Sequence, residues 1–201
     1  MAIDSTNTNI MYLASGDGDA ADTYSIGVLK STDGGATWNA TGLTWTIPTN
    51  TNTIRKLLIN PNNTQILYAA SSVGIYRTAN GGTNWTMVQA GDFKDIEFKP
   101  RNPNVIYAST NDNGIYKSMD EGVSWQQVKD FGGGCGPMDI LFGSNYSVVT
   151  VKGYNRGIWS SSGDLINWQQ KVINFDPNTV TKDINGNIYS GGDGYDGKVL
   201  F

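Results

Sequence analysis

Histidine is absent from this chain, and cysteine occurs only once among its 201 residues. Without histidine the chain has no His-based general base, no histidine-containing catalytic triad and none of the commonest zinc ligand. The single cysteine, Cys135, excludes an internal disulfide and is predicted to be a small residue in a glycine-rich loop. Any site on this chain must therefore be built mainly from carboxylates, amides, hydroxyls and aromatic rings.

Charge is scarce as well. Charged residues make up 16% of the chain, its formal net charge is −4, and its basic residues form no run. This composition argues against nucleic acid or an anionic membrane surface as a partner. No apolar stretch reaches about 18 residues, so neither a transmembrane helix nor membrane insertion is expected. Residues 1–4 lack the basic head and apolar region of a secretory leader, and we expect the chain to begin inside a longer protein.

What the sequence does contain is a short repeated sequence motif that ends in tryptophan, which we call the tryptophan phrase. The phrase occurs at residues 31–38, 78–85 and 118–125, and a divergent copy ends at Trp168. The four tryptophans follow one another at intervals of 47, 40 and 43 residues. This period accommodates one small antiparallel sheet per repeat, which predicts a radial arrangement of sheets.

Each phrase is predicted to be a tight turn between two strands. Its Asp or Asn accepts hydrogen bonds from nearby backbone N–H groups, its glycine can adopt a positive φ, and its tryptophan packs against a neighbouring sheet. The residues to which we assign this structural role are Ser31, Asp33, Gly35, Trp38, Thr78, Asn80, Gly82, Trp85, Ser118, Asp120, Gly122, Trp125 and Trp168.

The pattern Ser-x-Asp-x-Gly-x-x-Trp resembles the Asp-box, or BNR repeat. Residues 31–38 and 118–125 match it fully, whereas 78–85 has Thr for Ser and Asn for Asp, and residues 160–168 have lost the register. The resemblance is to the repeats of sialidases, xyloglucan-cleaving glycosidases, sortilin-type receptors and many bacterial surface proteins, and it implies a β-propeller and an extracellular or cell-surface location. Since catalytic and non-catalytic proteins share the repeat, it implies no activity.

The repeat divides the chain into blades of four antiparallel strands. We place the blades at about 1–45, 54–89, 93–129, 137–173 and 179–201, as four complete blades and most of a fifth in one all-β domain. A closed five-bladed ring and a fragment of a larger bacterial secreted protein both fit this count. We favour the fragment, because an unclosed array exposes apolar blade faces and an unpaired edge. Those surfaces also predict self-association if the segment folds alone.

A binding site is expected on the face opposite the tryptophan turns, where the second-to-third-strand loops and the blade-to-blade connections lie. These segments are acidic and carry tyrosines. The candidate ligand-binding residues are Asp17, Asp19, Asp22, Tyr24, Asp92, Asp112, Tyr154, Arg156, Asp193, Tyr195 and Asp196.

Two kinds of ligand fit this face. Asp17, Asp19 and Asp22 offer oxygen ligands on a glycine-containing loop, as Ca²⁺ prefers, although the downstream Glu of a typical calcium loop is missing. Alternatively, the tyrosines stack on sugar rings while the Asp, Asn and Arg side chains bond the sugar hydroxyls.

Catalysis by this chain is not expected. A sialidase needs a cluster of arginines for the substrate carboxylate, yet the chain has four arginines that are far apart in the repeat. Xyloglucan-cleaving relatives carry a catalytic Asp in an Asp-x-Gly-Gly-x-Tyr-Arg setting, whereas Asp33 is followed by Gly-Gly-Ala-Thr-Trp. The sequence thus predicts a non-catalytic module that binds carbohydrate or protein. A fragment of a glycoside hydrolase, more xyloglucanase-like than sialidase-like, and an assembly scaffold remain the alternatives.

Overall fold

The computed structural model describes residues 1–16, 25–46, 52–111, 114–132, 135–143, 146–153, 155–162, 167–173, 176–193 and 197–199. The regular elements in these ranges are β-strands, and they form five antiparallel sheets that follow one another along the chain. Side chains are described for most of these residues. The predicted Ca²⁺ loop and several other candidate residues lie outside them.

The strands of each sheet are as follows. Sheet 1 contains β1 (Ala2–Ile3), β2 (Met11–Ala14), β3 (Gly27–Ser31) and β4 (Asn39–Thr44). Sheet 2 contains β5 (Ile54–Ile59), β6 (Leu67–Ser71), β7 (Gly74–Thr78) and β8 (Thr86–Ala90). Sheet 3 contains β9 (Phe93–Lys99), β10 (Asn102–Thr110), β11 (Gly114–Ser118) and β12 (Gln126–Asp130). Sheet 4 contains β13 (Cys135–Phe142), β14 (Tyr146–Gly153), β15 (Gly157–Ser162) and β16 (Asn167–Ile173). Sheet 5 contains β17 (Asp176–Lys182), β18 (Ile188–Asp193) and β19 (Gly197–Val199).

Within each sheet the strands lie side by side in the order of the chain. Four sheets have four strands, and in the described residues the fifth has three. This arrangement confirms the predicted all-β class, with four complete four-stranded blades and most of a fifth.

Burial falls from the inner strands of a sheet to its outer edge. Every residue of β6 is buried, whereas β8 is exposed or half-buried along its length. A continuous apolar strand such as β6 is covered on both faces because a further sheet lies on either side of it. The outer strands are polar because their edge meets solvent.

The hydrophobic core is divided into clusters between consecutive sheets. The buried residues at the four boundaries include Tyr12, Val28 and Leu67 between sheets 1 and 2, Tyr68, Ile75 and Ile96 between sheets 2 and 3, Tyr107, Ile115 and Ile140 between sheets 3 and 4, and Val148, Ile158 and Val180 between sheets 4 and 5. The first strands also touch in succession, β5 with β9, β9 with β13 and β13 with β17. The sheets are therefore held as a radial array by neighbour-to-neighbour packing.

Candidate functional site

The array has two faces that follow from its topology. Because neighbouring strands are antiparallel, the first-to-second and third-to-fourth connections of a sheet leave one end, which we call the turn face. The second-to-third loops and the connections to the next sheet leave the other end, the loop face. Backbone hydrogen bonds link the segments of each face: the Gly81 N–H donates to the Gln65 carbonyl at 2.9 Å on the turn face, and the Asn111 N–H donates to the Asp92 carbonyl at 2.7 Å on the loop face.

The tryptophan phrase at residues 31–38 is held by its own polar groups on the turn face. The Ser31 hydroxyl donates to Asp33 Oδ1 at 2.7 Å and accepts the Gly35 N–H at 2.9 Å. Asp33 accepts the Thr37 N–H at 2.9 Å and the Thr37 hydroxyl at 2.6 Å. These bonds, that of the Thr37 hydroxyl foremost, lower the pKa of Asp33 to about 2. Asp33 is thus an ionised acceptor whose oxygens are engaged within the turn.

The phrase at residues 118–125 forms the same bonds. The Ser118 hydroxyl donates to Asp120 Oδ1 at 2.8 Å, and the Ser124 N–H and hydroxyl donate to Asp120 at 2.9 and 2.6 Å. The Ser124 hydroxyl is the main cause that lowers the pKa of Asp120 to about 2. Trp125 Nε1 closes the turn by donating to the Gly122 carbonyl at 3.2 Å.

The phrase at residues 78–85 forms a neutral version of the turn. The Thr78 hydroxyl and the Asn84 N–H both donate to Asn80 Oδ1 at 2.9 Å. The amide nitrogen of Asn80 cannot accept a hydrogen bond, and the Thr83 hydroxyl donates instead to the Asn80 main-chain carbonyl at 3.0 Å. The fold of the turn is thus kept without the negative charge.

The phrases at residues 78–85 and 118–125 also bind the sheet before them. The Glu121 carbonyl accepts the Tyr68 hydroxyl at 2.7 Å and Arg77 Nε at 2.8 Å, both from sheet 2. Glu121 has a φ of +56°, a left-handed conformation that is uncommon for a residue other than glycine. This conformation turns the carbonyl toward the neighbouring sheet, so the phrase stabilises the boundary as well as the turn.

The boundary between sheets 1 and 2 repeats this contact. The Gly81 carbonyl accepts the Tyr12 hydroxyl at 3.1 Å and Lys30 Nζ at 3.0 Å. Lys30 Nζ also lies 5.3 Å from the centre of the Tyr12 ring. A tyrosine and a cation on one sheet therefore recognise the fourth residue of the phrase on the next.

On the loop face the predicted site residue Asp92 joins two sheets. Arg55 Nη1 donates to the Asp92 carboxylate and, at 3.0 Å, to the Phe93 carbonyl. Both charged side chains are largely covered, with 15% of Arg55 and 25% of Asp92 exposed. Asp92 is thus held by a cation from the preceding sheet.

Arg156, the other described candidate, is exposed in the loop between β14 and β15. Its N–H donates to the Gly153 carbonyl at 3.2 Å, and its own carbonyl accepts Gln170 Nε2 at 2.9 Å. These bonds fix the backbone beneath the guanidinium group.

A group of four side chains that the sequence did not predict lies beside Arg156. We call it the Trp159 cluster, and it consists of Lys129, Phe131, Asn155 and Trp159. Trp159 Nε1 donates to the Asn155 carbonyl at 2.9 Å, and Asn155 Nδ2 donates to the Phe131 carbonyl at 2.6 Å. Lys129 Nζ lies 5.1 Å from the Phe131 ring centre and 5.4 Å from that of Trp159. The cluster places a half-buried tryptophan ring and a cation next to the loop face, above the buried Phe131.

The remaining candidates cannot be placed in this geometry. Asp17, Asp19, Asp22, Tyr24, Asp112, Tyr154, Tyr195 and Asp196 lie outside the described residues. Asp193 is described only as the last residue of β18.

A second unpredicted feature runs through the centre of the array. The first strands of sheets 2 to 5 carry polar residues at one register position, directly after a shift in strand pairing. These residues are Lys56, Asp95, Asp139 and Thr179, and we call them the inner polar row. Because such a shift re-aims a side chain, the row depends on four irregularities that the sequence does not mark.

The members of the inner polar row bind one another across the sheet boundaries. Lys56 Nζ donates to Asp95 Oδ1 at 2.6 Å and also to the Glu97 carboxylate. Asp139 Oδ2 accepts the Thr179 hydroxyl and the Val180 N–H, both at 2.9 Å. Asp95 Oδ2 likewise accepts the N–H of Ile140, the residue after Asp139, at 2.9 Å. An aspartate of one sheet thus accepts a hydrogen bond from a backbone N–H of the next sheet.

The charges of the inner polar row perturb one another. Burial, followed by the negative charge of Asp95, raises the pKa of Asp139 to about 6, and the two carboxyl groups share a hydrogen bond. Burial also raises the pKa of Glu97 against the opposing charge of Lys56. Burial disfavours the charge of Lys56, but Asp95 and Glu97 outweigh it and raise its pKa.

This carboxyl pair does not have the geometry of a glycosidase. Retaining and inverting enzymes hold their two carboxyl groups about 5 Å and about 6.5–9.5 Å apart, so that a sugar or a water fits between them. Asp95 and Asp139 interact directly with each other, and Oδ2 of each already accepts a backbone N–H, from Ile140 and Val180 respectively. The pair can hold a proton and join sheets, but it cannot flank a glycosidic bond.

The described residues contain neither a metal-binding cluster nor a membrane-spanning helix. In the described ranges no group of three or more His, Cys, Asp or Glu side chains is placed to hold a metal ion. Nor does any helix in the same ranges have the length and apolar character needed to cross a membrane.

Comparison with known proteins gave one kind of curated relative. No protein-family model matches the chain. The xyloglucanase Xgh74A of Acetivibrio thermocellus is 27% identical to it over 202 residues, which cover 84% of this chain and 24% of the xyloglucanase. The chain thus spans about a quarter of the length of this relative.

Solved structures share the fold. A GH74 enzyme of Niastella koreensis superimposes with a TM-score of 0.70 at 22% identity, covering 94% of this chain and 32% of the enzyme. The GH74 xyloglucanase of Xanthomonas campestris gives a TM-score of 0.67 at 17% identity and covers 98% and 37%. The extracellular domain of a putative hybrid two-component system of B. thetaiotaomicron gives 0.69 at 10% identity and covers 96% and 26%. These likenesses place the chain among β-propellers.

Proposed function

We propose that this chain is a non-catalytic segment of an extracellular or cell-surface β-propeller, and that its loop face binds a xyloglucan-like β-glucan. The observation that carries the proposal is the 27% identity to a xyloglucanase over 84% of this chain. A module that descends from such an enzyme can keep the polysaccharide contacts of its loops after the chemistry is lost or is housed elsewhere.

The described part of the loop face has chemistry that suits a sugar polymer. Arg156 is exposed on an anchored loop, and the Trp159 cluster lies beside it. Aromatic rings stack on the apolar faces of sugars, while guanidinium and amide groups bond their hydroxyls. Tyr24, Tyr154 and Tyr195, with the aspartates of the same loops, belong to this proposed surface.

A fragment of a glycoside hydrolase is the second candidate function, and the same similarity favours it. That function requires a facing carboxyl pair with room for substrate between them. In the described residues, the carboxyl oxygens of Asp95 and Asp139 are instead bonded to backbone N–H groups. The two functions therefore differ in whether this chain cleaves the polymer that it binds.

The experiment is a binding titration with soluble xyloglucan, paired with an assay of new reducing ends. We expect binding without hydrolysis, and a loss of affinity of about tenfold in Arg156→Ala and Tyr195→Ala, corresponding to about 1.4 kcal/mol each. Met119→Ala is the control, because Met119 is 72% exposed and lies in a turn-face phrase. Hydrolysis that one aspartate substitution abolishes would establish the hydrolase, and undiminished binding by both loop variants would refute the loop-face site.

The proposed Ca²⁺ site is tested separately, by thermal unfolding with Ca²⁺ and with a chelator. If Asp17, Asp19 and Asp22 bind the ion, millimolar Ca²⁺ should raise the melting temperature, and a chelator should reverse the rise. An unchanged melting temperature would remove the metal from the proposal and leave the polysaccharide site in place.

A further inference from the structure

Two buried hydroxyl groups lie opposite the aspartates of the inner polar row. Where the first and second strands pair, Ser109 is directly across from Asp95, and Thr150 is directly across from Asp139. Ser109 and Thr150 are both fully buried, at 0% exposure. Among the residues that the structure describes, neither Ser109 Oγ nor Thr150 Oγ1 has a hydrogen-bond partner. Because a buried hydroxyl without a partner destabilises a fold, these two groups indicate a bound polar molecule.

The hydroxyls coincide with the aspartates of the row and not with its other members. Across from Lys56 the second strand of sheet 2 has Ala70, and across from Thr179 the second strand of sheet 5 has Gly191. Ala70 belongs to the apolar cluster between sheets 2 and 3. The second strand can therefore have an apolar residue at this position, and it has a hydroxyl where the first strand has a carboxyl group.

Ser109 points to the same boundary as the aspartate across from it. Side chains alternate along a strand, so Ser109 shares a face with Tyr107, which packs between sheets 3 and 4. Asp95 faces the same boundary, where its Oδ2 accepts the N–H of Ile140 from sheet 4.

Thr150 repeats this arrangement at the next boundary. It shares a face with Val148, which packs between sheets 4 and 5. Asp139 faces that boundary too, where its Oδ2 accepts the N–H of Val180 from sheet 5. Both boundaries thus bring together a buried hydroxyl, a carboxyl group and a backbone N–H of the following sheet.

The spacing and the chemistry of these groups suit a water molecule. Directly opposite residues of an antiparallel pair have Cβ atoms about 4.5–5.5 Å apart, a separation that one water can bridge between their side chains. A metal ion is disfavoured, because Oδ2 of each aspartate already accepts a backbone N–H, whose positive end would repel a cation. Water can donate to a carboxyl group and also donate to a hydroxyl or accept from it.

We propose that each pair of hydroxyl and aspartate binds one internal water molecule. The first water bridges Ser109 and Asp95 at the boundary between sheets 3 and 4. The second bridges Thr150 and Asp139 at the boundary between sheets 4 and 5. These waters extend the inner polar row from the first strand of a sheet to its second strand.

Removal of each hydroxyl tests the proposal through the sign of the stability change. If the hydroxyl binds water, Ser109→Ala and Thr150→Val should each lower the melting temperature by roughly 2–4 °C, because a water bridge is lost. If the hydroxyl has no partner of any kind, the same substitutions should raise the melting temperature, because a buried unsatisfied group is removed. A rise, or no change, at either position would refute the water site there.

Ser71→Ala is the matched control for this measurement. Ser71 is another fully buried residue with a hydroxyl on a second strand, but its hydroxyl donates within the protein, to the Gly74 carbonyl at 2.7 Å. Its substitution should lower the melting temperature, which shows that the assay detects the loss of one buried hydroxyl bond.

A crystal structure of the wild-type chain, grown with rubidium as the only alkali metal ion, is the direct measurement. We expect one ordered water about 2.5–3.0 Å from Ser109 Oγ and another at the same distance from Thr150 Oγ1, without an anomalous rubidium signal at either position. Crystals of Ser109→Ala and Thr150→Val should each lack the corresponding water. A rubidium signal at these positions, or a hydroxyl that bonds directly to a protein group, would overturn the proposal.

Discussion

At the scale of single residues, two positions of the tryptophan phrase vary together. Where the third position is an aspartate, the seventh is Thr37 or Ser124, whose hydroxyl donates to a carboxylate oxygen at 2.6 Å. Where the third position is Asn80, the seventh is Asn84, which has no hydroxyl and contributes only its N–H. The pairing follows from hydrogen-bond chemistry, because the second side-chain atom of asparagine is a donor.

This pairing gives a pH-dependent prediction for Asp120. Its folded-state pKa of about 2 lies below the ordinary value near 3.8, so its stabilising effect is present above about pH 4 and is lost as the pH falls toward 2. Asp120→Asn should lower the melting temperature at pH 7 by roughly 2–4 °C, from the loss of one bond worth about 1 kcal/mol at an exposed site.

The control for that prediction is the reverse change, Asn80→Asp, whose phrase lacks the seventh-position hydroxyl. The rise in melting temperature that Asn80→Asp causes at pH 7 should be smaller than the fall that Asp120→Asn causes. Thermal unfolding of both variants between pH 2 and pH 7 is the measurement. A difference between wild type and Asp120→Asn that persists at pH 2 would show that the carboxylate charge is not the cause.

At the scale of strands, the inner polar row shows that a shift in strand pairing can place a polar side chain in contact with neighbouring sheets. The pairing shift between Pro137 and Asp139 brings the Asp139 carboxyl to the backbone of β17 and to Asp95 of β9. One side chain thereby joins its own first strand to two others. Its burial is tolerated because N–H, hydroxyl and carboxyl partners surround it.

Asp139→Asn tests this row. The folded-state pKa of Asp139, about 6, exceeds its ordinary value, so the folded protein binds the extra proton and loses stability as the pH rises from about 4 through 6. Asparagine resembles the protonated carboxyl: its oxygen can accept from Thr179 and Val180, and its amide can donate to Asp95. The variant should therefore melt at a higher temperature than wild type at pH 8 and at a similar temperature at pH 4.

Several groups that face Asp139 must be considered when this result is interpreted. Asp95 and Glu97 lie on β9, Lys56 on β5 and Thr179 on β17. Thr179→Val is a useful comparison, because it removes a hydrogen bond from Asp139 but adds no charge. If the melting temperature of Asp139→Asn falls equally at both pH values, the row does not hold a shared proton.

The strands and turns could be predicted from the sequence because their signals are local. The apolar run of β6 and the Gly-containing phrase at residues 78–85 each specify a conformation within a few residues. The inner polar row could not be predicted, since Lys56 and Asp95 meet only after two pairing shifts and the packing of two sheets. The Trp159 cluster depends likewise on the juxtaposition of two sheets, and Trp159 alone could be assigned only to a strand.

At the scale of the whole molecule, stability resides in the boundaries between sheets. Each boundary has its own apolar cluster, and two of them add a tyrosine hydroxyl bonded to a turn carbonyl. In such an array the free energy of unfolding is close to a sum over sheets and their nearest neighbours. The contribution of a single hydroxyl to the free energy of unfolding can therefore be measured at one boundary without altering the others.

Tyr68→Phe makes that measurement between sheets 2 and 3. Loss of the hydroxyl bond to Glu121 should destabilise the chain by about 1 kcal/mol, since the ring remains packed and Arg77 still binds the same carbonyl. Chemical denaturation reports the change. Tyr189→Phe is the control, because Tyr189 has the same register position in sheet 5 as Tyr68 in sheet 2. This change should have little effect, since the Tyr189 hydroxyl donates to Asp183 of its own sheet and not to a neighbouring sheet. Equal losses in the two variants would contradict a boundary role for the hydroxyl.

The recurrence of one tyrosine–cation–carbonyl contact at successive boundaries has a consequence for how such chains change over generations. A gene duplication that repeats sheet 2 in place delivers a sheet whose two sides already match both of its new neighbours. A deletion likewise brings together two sides that were shaped for each other. The number of repeats can therefore change without the evolution of a new contact surface. The loops of each repeat can then diverge in sequence and bind different ligands.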